Sequence, residues 1–181
     1  MATAQPTPLR KTRERDLVRV TRALFDERGV QDAPIEEIAR AAGIARGLVY
    51  RHFSSKEELF VLTMTDYLAE LAEVLEEAIG RARTPATKLT RCAEAYSRFC
   101  VRYPAFIDSA LSLMRRPARD LQGIVSESVW LRLGQGMARC SDQLAVVLRE
   151  GARRPRSSRA ARRPMRASAC ATRRSSTAPC P

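Results

Sequence analysis

The sequence predicts an all-helical protein. Apolar residues recur at spacings of three and four, no run alternates apolar and polar residues as a half-buried strand would, and glycine is scarce before residue 120. At 181 residues, 45% apolar and 29% charged, the chain has room for one compact unit or a small module joined to a modest second one. A large multidomain architecture is excluded.

The first helix is predicted over residues 13–28, with Leu17, Val20, Thr21, Leu24 and Phe25 on one face, Thr12 as cap and Gly29 as the left-handed stop. Pro34 then suits the start of a short helix whose apolar face is Ile35, Ile38, Ala39 and Ala42, ending at Gly43. After one turn a third short helix covers residues 45–53. The run Ser55, Lys56, Glu57, Glu58 has the form of a capping box, opening a long helix from 56 to 79 that Gly80 closes. That helix reaches roughly 36 Å at the usual rise. Leu59, Phe60, Leu62, Met64, Tyr67, Leu68, Leu71, Val74, Leu75 and Ile79 fill more than one stripe, so it should pack on two sides and bridge two modules.

Pro85 opens a helix to about 102 with Leu89, Cys92, Ala93, Tyr96, Phe99 and Cys100 inward, and Pro104 opens a shorter one through Phe106, Ile107, Leu111 and Met114. Pro117 and Gly123 mark a loop. From Ser126, the residues Val129, Trp130, Leu133, Met137, Cys140, Leu144, Val147 and Leu148 trace one face of a last helix to about 151.

Charge divides the chain unevenly. Residues 1–56 carry 11 basic and 7 acidic side chains, residues 57–151 carry 12 and 13, and residues 152–181 carry nine arginines and no acid. Positive charge gathered at one end points to a polyanion such as nucleic acid or an anionic membrane surface. No apolar stretch approaches the roughly 20 residues that span a bilayer, and the opening MATAQPTPLRKTRERD lacks the apolar block of a signal peptide, so the expectation is a cytoplasmic protein without a membrane partner. Cysteines 92, 100, 140, 170 and 180 form no CxxC pair, His52 is the sole histidine, and neither GxGxxG nor a Walker loop occurs. No reaction, cofactor or metal site is expected.

Residues 35–53 carry the functional signal. With Ile35 as position 1 of a helix-turn-helix, Ala39 falls at position 5, where the helices cross too closely for a larger side chain. Gly43 falls at position 9, where the turn needs positive φ, and Val49 at position 15, inside the crossing. Spacing alone would fit two ordinary bundle helices. The balance is tipped by a basic and aromatic cluster, Arg46, Gly47, Leu48, Tyr50, Arg51, His52 and Lys56, with 46, 47, 50 and 51 toward one exposed side, as entry into a major groove requires.

The segment IEEIARAAGIARGLVYRHFSSKEELF, preceded by RERDLVRVTRALFDERG, closely resembles the DNA-binding domain of the TetR family of transcriptional regulators. The resemblance is specific over about residues 12–62 and architectural over 63–151. It implies that Ala45, Arg46, Gly47, Leu48 and Arg51 read base edges and that Tyr50, His52 and Lys56 touch phosphates. It further implies a homodimer on a palindromic operator, released when a small molecule binds the second domain: a ligand-released repressor. Two departures are Pro34, where a hydroxyl residue is usual, and Val20-Thr21 in place of two alanines.

The expected organisation is a disordered arm over 1–11, the helix-turn-helix domain over 12–56, a helical ligand-binding and dimerisation domain, incomplete, over 57–151, and a disordered Arg-rich tail over 152–181. The tail contains no Leu, Ile, Val, Phe, Tyr or Trp and so has no face to bury. It stands where the family continues with apolar helices. Three readings stand: a basic arm adding affinity for DNA, a frameshift in GC-rich coding sequence that has replaced those helices and left a dimer-defective protein that binds nucleic acid nonspecifically, or an unusual fold. For the second domain, Tyr67, Leu71, Phe99, Tyr103, Phe106, Ile107, Leu111, Trp130 and Met137 are expected to surround one cavity for a mostly apolar effector.

Overall fold

A computed structural model of the chain describes residues 8–29, 33–115 and 123–153. All seven regular elements among them are helices: α1 (Pro8–Arg28), α2 (Ile35–Ala41), α3 (Arg46–Val49), α4 (Lys56–Gly80), α5 (Pro85–Arg102), α6 (Pro104–Arg115) and α7 (Glu127–Arg153). Of the expected terminal segments, residues 1–7 and 154–181 lie outside the described residues, as do 116–122 of the expected loop.

α1, α2 and α3 close on a small core of Leu17, Leu24, Phe25, Ile35, Ile38, Val49 and Phe53. Burying each such side chain contributes about 1.5–3 kcal/mol. α4 is the spine. It packs on α1 near its start, where the Phe25 and Phe60 rings stand 5.5 Å apart, and on α5 and α7 farther along. Its two-sided burial, including Leu59, Leu62, Leu68, Leu71 and Leu75, is what its broad apolar surface demands. α7 approaches closely at Gly136, where a Cβ would stand 3.3 Å from Leu68. Gln143 donates to the Ala72 carbonyl at 3.0 Å, and Lys88 of α5 pairs with Glu150 at 2.7 Å. No described helix is long and apolar enough to cross a membrane.

The structure corrects the sequence reading in four places. α1 begins at Pro8, so residues 8–11 are helical and Thr12 is no cap. Pro8 suits a first turn, and the i,i+4 pair of Arg10 with Glu14 at 3.1 Å supports the extension. α3 ends at Val49, because Arg51 and His52 donate back three residues, to Leu48 and Val49, and tighten the last turn. α5 buries Cys92, Ala95 and Phe99 while Leu89, Ala93 and Tyr96 face outward, since small Cys and Ala side chains let the helix lie close to its neighbours. α7 runs to Arg153 and turns only one flank of its apolar face inward, leaving Met137, Leu144 and Leu148 exposed.

Ser55 caps the start of α4 as its sequence predicts, while Glu58 reaches back one residue beyond the cap, to Ser54. Ser55 is extended, and its Oγ accepts the Glu58 N–H at 2.9 Å. The Glu58 carboxylate accepts the Ser54 N–H at 2.6 Å, and also the hydroxyls of Ser54 and of Ser126, a residue 68 positions away. Ser55 Oγ donates onward to the Ile124 carbonyl at 2.9 Å. Burial opposes ionisation of Glu58, but the bonds from Ser126 and Ser54 outweigh it and hold the pKa below the usual carboxylate value. A carboxyl depressed in the fold stabilises above its unfolded pKa, and that stability is lost as pH falls through the folded value. Glu58→Ala is expected to cost about 1–2 kcal/mol at neutral pH and to flatten the acid limb of the stability profile, as read by denaturant melts from pH 7 down to pH 3.

Candidate nucleic-acid interface

The turn between α2 and α3 follows from its residue types. Ala42 N–H donates to Ile38 O at 2.9 Å, Gly43 N–H to Arg40 O at 3.1 Å and Ile44 N–H to Ala39 O at 3.0 Å, the paired bonds of a Schellman stop. Gly43 sits at φ 66°, which a side chain rarely adopts. Ala39 and Val49 are both buried where the two helices cross. Pro34, at φ −66° and ψ 151°, leads into α2 without a side-chain cap.

This frame leaves one surface outward. Ala45, Arg46, Gly47, Leu48, Tyr50, Arg51 and Lys56 are all exposed, whereas Val49 and Phe53 face the core. Arg46 Nη1 lies 2.6 Å from the Glu36 carboxylate and its guanidinium 5.9 Å from the Tyr50 ring centre. A Cβ added at Gly47 would meet no protein atom within 4 Å, so nothing inside the protein requires glycine there. Lys56 opens α4 beside the same surface.

His52 is half-buried, its ring 6.4 Å from Phe53, and its Nδ1 has no hydrogen-bond partner. Burial lowers its pKa; Glu14 opposes this, while Arg10, Arg13 and Arg51 add to it. Arg10 and Arg13, in the first turns of α1, are thus among the charges that act on His52. In the sequence Arg10 falls in the expected disordered arm and Arg13 at the exposed start of the first predicted helix, so neither stands out as a functional residue. The run Arg10-Lys11-Thr12-Arg13 was the available signal.

Of the nine residues expected around a second-domain cavity, the structure gathers four rings. Phe99 lies 4.9 Å from Tyr103 and 5.4 Å from Phe106, and Tyr67 lies 5.8 Å and 6.0 Å from the same two. Leu71 is buried in the same core, and Ile107 and Trp130 are half-buried against it. Leu111 and Met137 are on the surface, Met137 at 58% exposure. A cleft of about 950 Å³ opens between α1 and α4, lined by charged side chains including Arg15, Arg19, Arg22, Asp66 and Glu70, and touches only Tyr103 of the nine. Among the described residues no group of three or more His, Cys, Asp or Glu side chains could hold a metal ion.

The family model described as "Bacterial regulatory proteins, tetR family" matches residues 17–62, the segment that holds this surface. The HTH-type transcriptional regulator BetI of Brucella anthropi is 34% identical over 77 residues, 42% of this chain and 40% of that protein. The HTH-type transcriptional repressor KstR2 of Mycolicibacterium smegmatis is 33% identical over 88 residues, 48% of this chain and 43% of its own length. The matched segments thus span about two fifths of these curated relatives. Among solved structures, the TetR family regulator PfmR from Thermus thermophilus superposes with a TM-score of 0.54 at 25% identity, over 76% of this chain and 70% of that one.

Proposed function

We infer, from the membership of its N-terminal domain in the TetR family of bacterial regulatory proteins, that this chain is a transcriptional regulator that binds duplex DNA through α2, the Gly43 turn and α3. The observation that carries the reading is the exposed set Ala45, Arg46, Gly47, Leu48 and Arg51, flanked by Tyr50, His52 and Lys56, on a helix pair whose crossing and turn are built by Ala39, Val49 and Gly43. Arg46 and Arg51 read base edges in the major groove. Tyr50, His52 and Lys56 hold phosphates, with Arg10 and Arg13 extending the phosphate-binding side along α1. Repression is the favoured sense, as KstR2 is named a repressor.

The operator is palindromic, with half-sites about 34–36 Å apart read by two copies of the chain. The exposed stripe Met137, Leu144 and Leu148 on α7 is where the second copy sits. A seam of one helix per copy is narrow, so pairing is weak in solution and is completed on DNA. A mostly apolar effector with a few hydrogen-bonding groups acts at the ring cluster of Tyr67, Phe99, Tyr103 and Phe106 and releases DNA by favouring the arrangement that binds it poorly. The test is selection of duplexes from a random pool, followed by titration of the recovered sequence and a scrambled one.

Two variants probe how the surface meets DNA. Gly47→Ala removes a helix-weakening residue without meeting any protein atom, so the fold should gain up to about 1 kcal/mol. If α3 lies close to the groove floor, the same methyl should weaken operator binding, and a stability gain paired with an affinity loss in melts and titrations is the expected signature. Replacing Arg10 and Arg13 by Ala should weaken binding to every duplex alike and shallow the slope of log affinity against log salt by about two.

A further inference from the structure

Arg22, on the fourth turn of α1, is not a surface arginine. Its side chain is 13% exposed, at the side of the cleft between α1 and α4, and all three guanidinium nitrogens face carboxylates. Nη1 donates to Asp66 at 2.8 Å, Nη2 donates to Glu70, and Nε lies 3.9 Å from Asp26. Two tyrosine rings crowd one side of it, Cζ standing 4.2 Å from the Tyr67 ring centre and 4.7 Å from that of Tyr103, with the two centres 5.8 Å apart. Both rings are tied into the same network through their hydroxyls: Tyr67 donates to Asp26 at 2.6 Å and Tyr103 to Glu70 at 2.9 Å. Burial alone would make the guanidinium easier to deprotonate, but Asp66 and Glu70 reverse this and fix its charge.

The network joins the two halves of the molecule at one atom group. α1 carries Arg22 and Asp26 and belongs to the three-helix unit that presents the DNA surface; Asp66, Tyr67 and Glu70 are on α4, and Tyr103 comes directly after α5. The other sides of the same two tyrosines belong to the ring cluster, Tyr67 against Phe106 and Tyr103 against Phe99. Tyr67 is thus bonded directly to α1 through Asp26, and Tyr103 indirectly through Glu70 of α4, which Arg22 holds, so a turn or shift of either ring disturbs a charge-assisted bond in the network that ends on α1. A lysine would supply the charge but neither the planar stack nor the fork that reaches two carboxylates at once.

We propose that Arg22 is the positioning residue that couples the ring cluster of the helical core to the DNA-contacting helices, so that a change in the packing of Tyr67 and Tyr103 is transmitted to α1 and a change imposed on α1 by DNA is transmitted back. This rests on the DNA-binding reading above and deepens it. Coupling of this kind is reciprocal, so DNA itself serves as the probe and no effector is needed.

The experiment measures amide hydrogen exchange of the full chain with and without the duplex recovered from the random pool, in the wild type, Arg22→Gln and Arg22→Lys. In the wild type the duplex should slow exchange at residues 46–56 and also at residues 99–107. Arg22→Gln should keep the first protection and lose the second, and Arg22→Lys should keep part of it. A merely structural role would raise exchange in the free protein without changing what DNA adds. A second arm without DNA compares the melting shifts of Arg22→Gln, Tyr103→Phe and the double variant, where a non-additive shift is expected. Protection at 99–107 that survives in both variants, its absence in the wild type, or strictly additive shifts would overturn the proposal while leaving DNA binding intact. If the pool yields no bound duplex, the DNA-binding reading fails and the proposal falls with it.

Discussion

Arg46→Ala is expected to weaken binding to the selected operator by about 1–3 kcal/mol, roughly 5- to 150-fold, and to relax the sequence preference at the base it reads. On a scrambled duplex the same variant should lose only what one surface charge contributes. The residue is exposed and already oriented along the outward face, stacked near Tyr50 and tethered to Glu36 at 2.6 Å. Both partners of that pair are half-exposed, so breaking it costs little in stability and Arg46 is free to exchange Glu36 for a guanine edge. Glu36→Gln, which removes the competing carboxylate, should tighten binding. Lys56→Ala should behave differently, weakening operator and scrambled duplex by similar factors, since a phosphate contact carries no sequence information. Equal loss on both duplexes for Arg46→Ala would count against base reading.

Phe99→Ala should cost about 3–5 kcal/mol of stability, read as a lowered denaturation midpoint with an unchanged slope. Phe99 is 4% exposed and packs edge-on against both Tyr103 and Phe106, so its truncation leaves a hole that the surrounding helices would have to collapse to fill. The response to small apolar molecules separates two roles for the ring cluster. In a core closed in the wild type they fill the hole and restabilise the variant alone. A cluster that admits an effector, as proposed above, lets them raise the midpoint of the wild type as well.

The helix-turn-helix was legible because its geometry dictates residue type locally: Ala39 at the crossing, Gly43 at positive φ and Val49 at the contact stand within eleven residues of one another. The Ser55 and Glu58 box was legible for the same reason, but the Ser126 hydroxyl that reaches Glu58 was not, since nothing near residue 58 announces a partner from another element. Periodicity marked the apolar stripe of α5 without saying which flank would be covered. The helix turned Cys92 and Ala95 inward and Leu89 and Tyr96 outward. Arg22 gave no signal, because a lone arginine on an amphipathic helix reads as surface, and the partners that bury it lie 44 residues away at Asp66 and 48 away at Glu70. The cavity expected from nine residues rested on helical faces, and the structure draws only the four rings into ring-on-ring contact.

The most direct measurement of the central claim is the affinity of the full chain for the duplex recovered from a random pool, against a scrambled duplex of equal length, at two salt concentrations. A surface that reads bases through Arg46 and Arg51 predicts a recovered motif with two related half-sites, and an affinity for it at least about 10³-fold above that for the scrambled duplex. That ratio should persist at higher salt while both affinities fall. A pool that returns no common sequence, with equal affinities that decline together as salt rises, would show attraction to phosphate alone and contradict the assignment of α3 as a recognition helix.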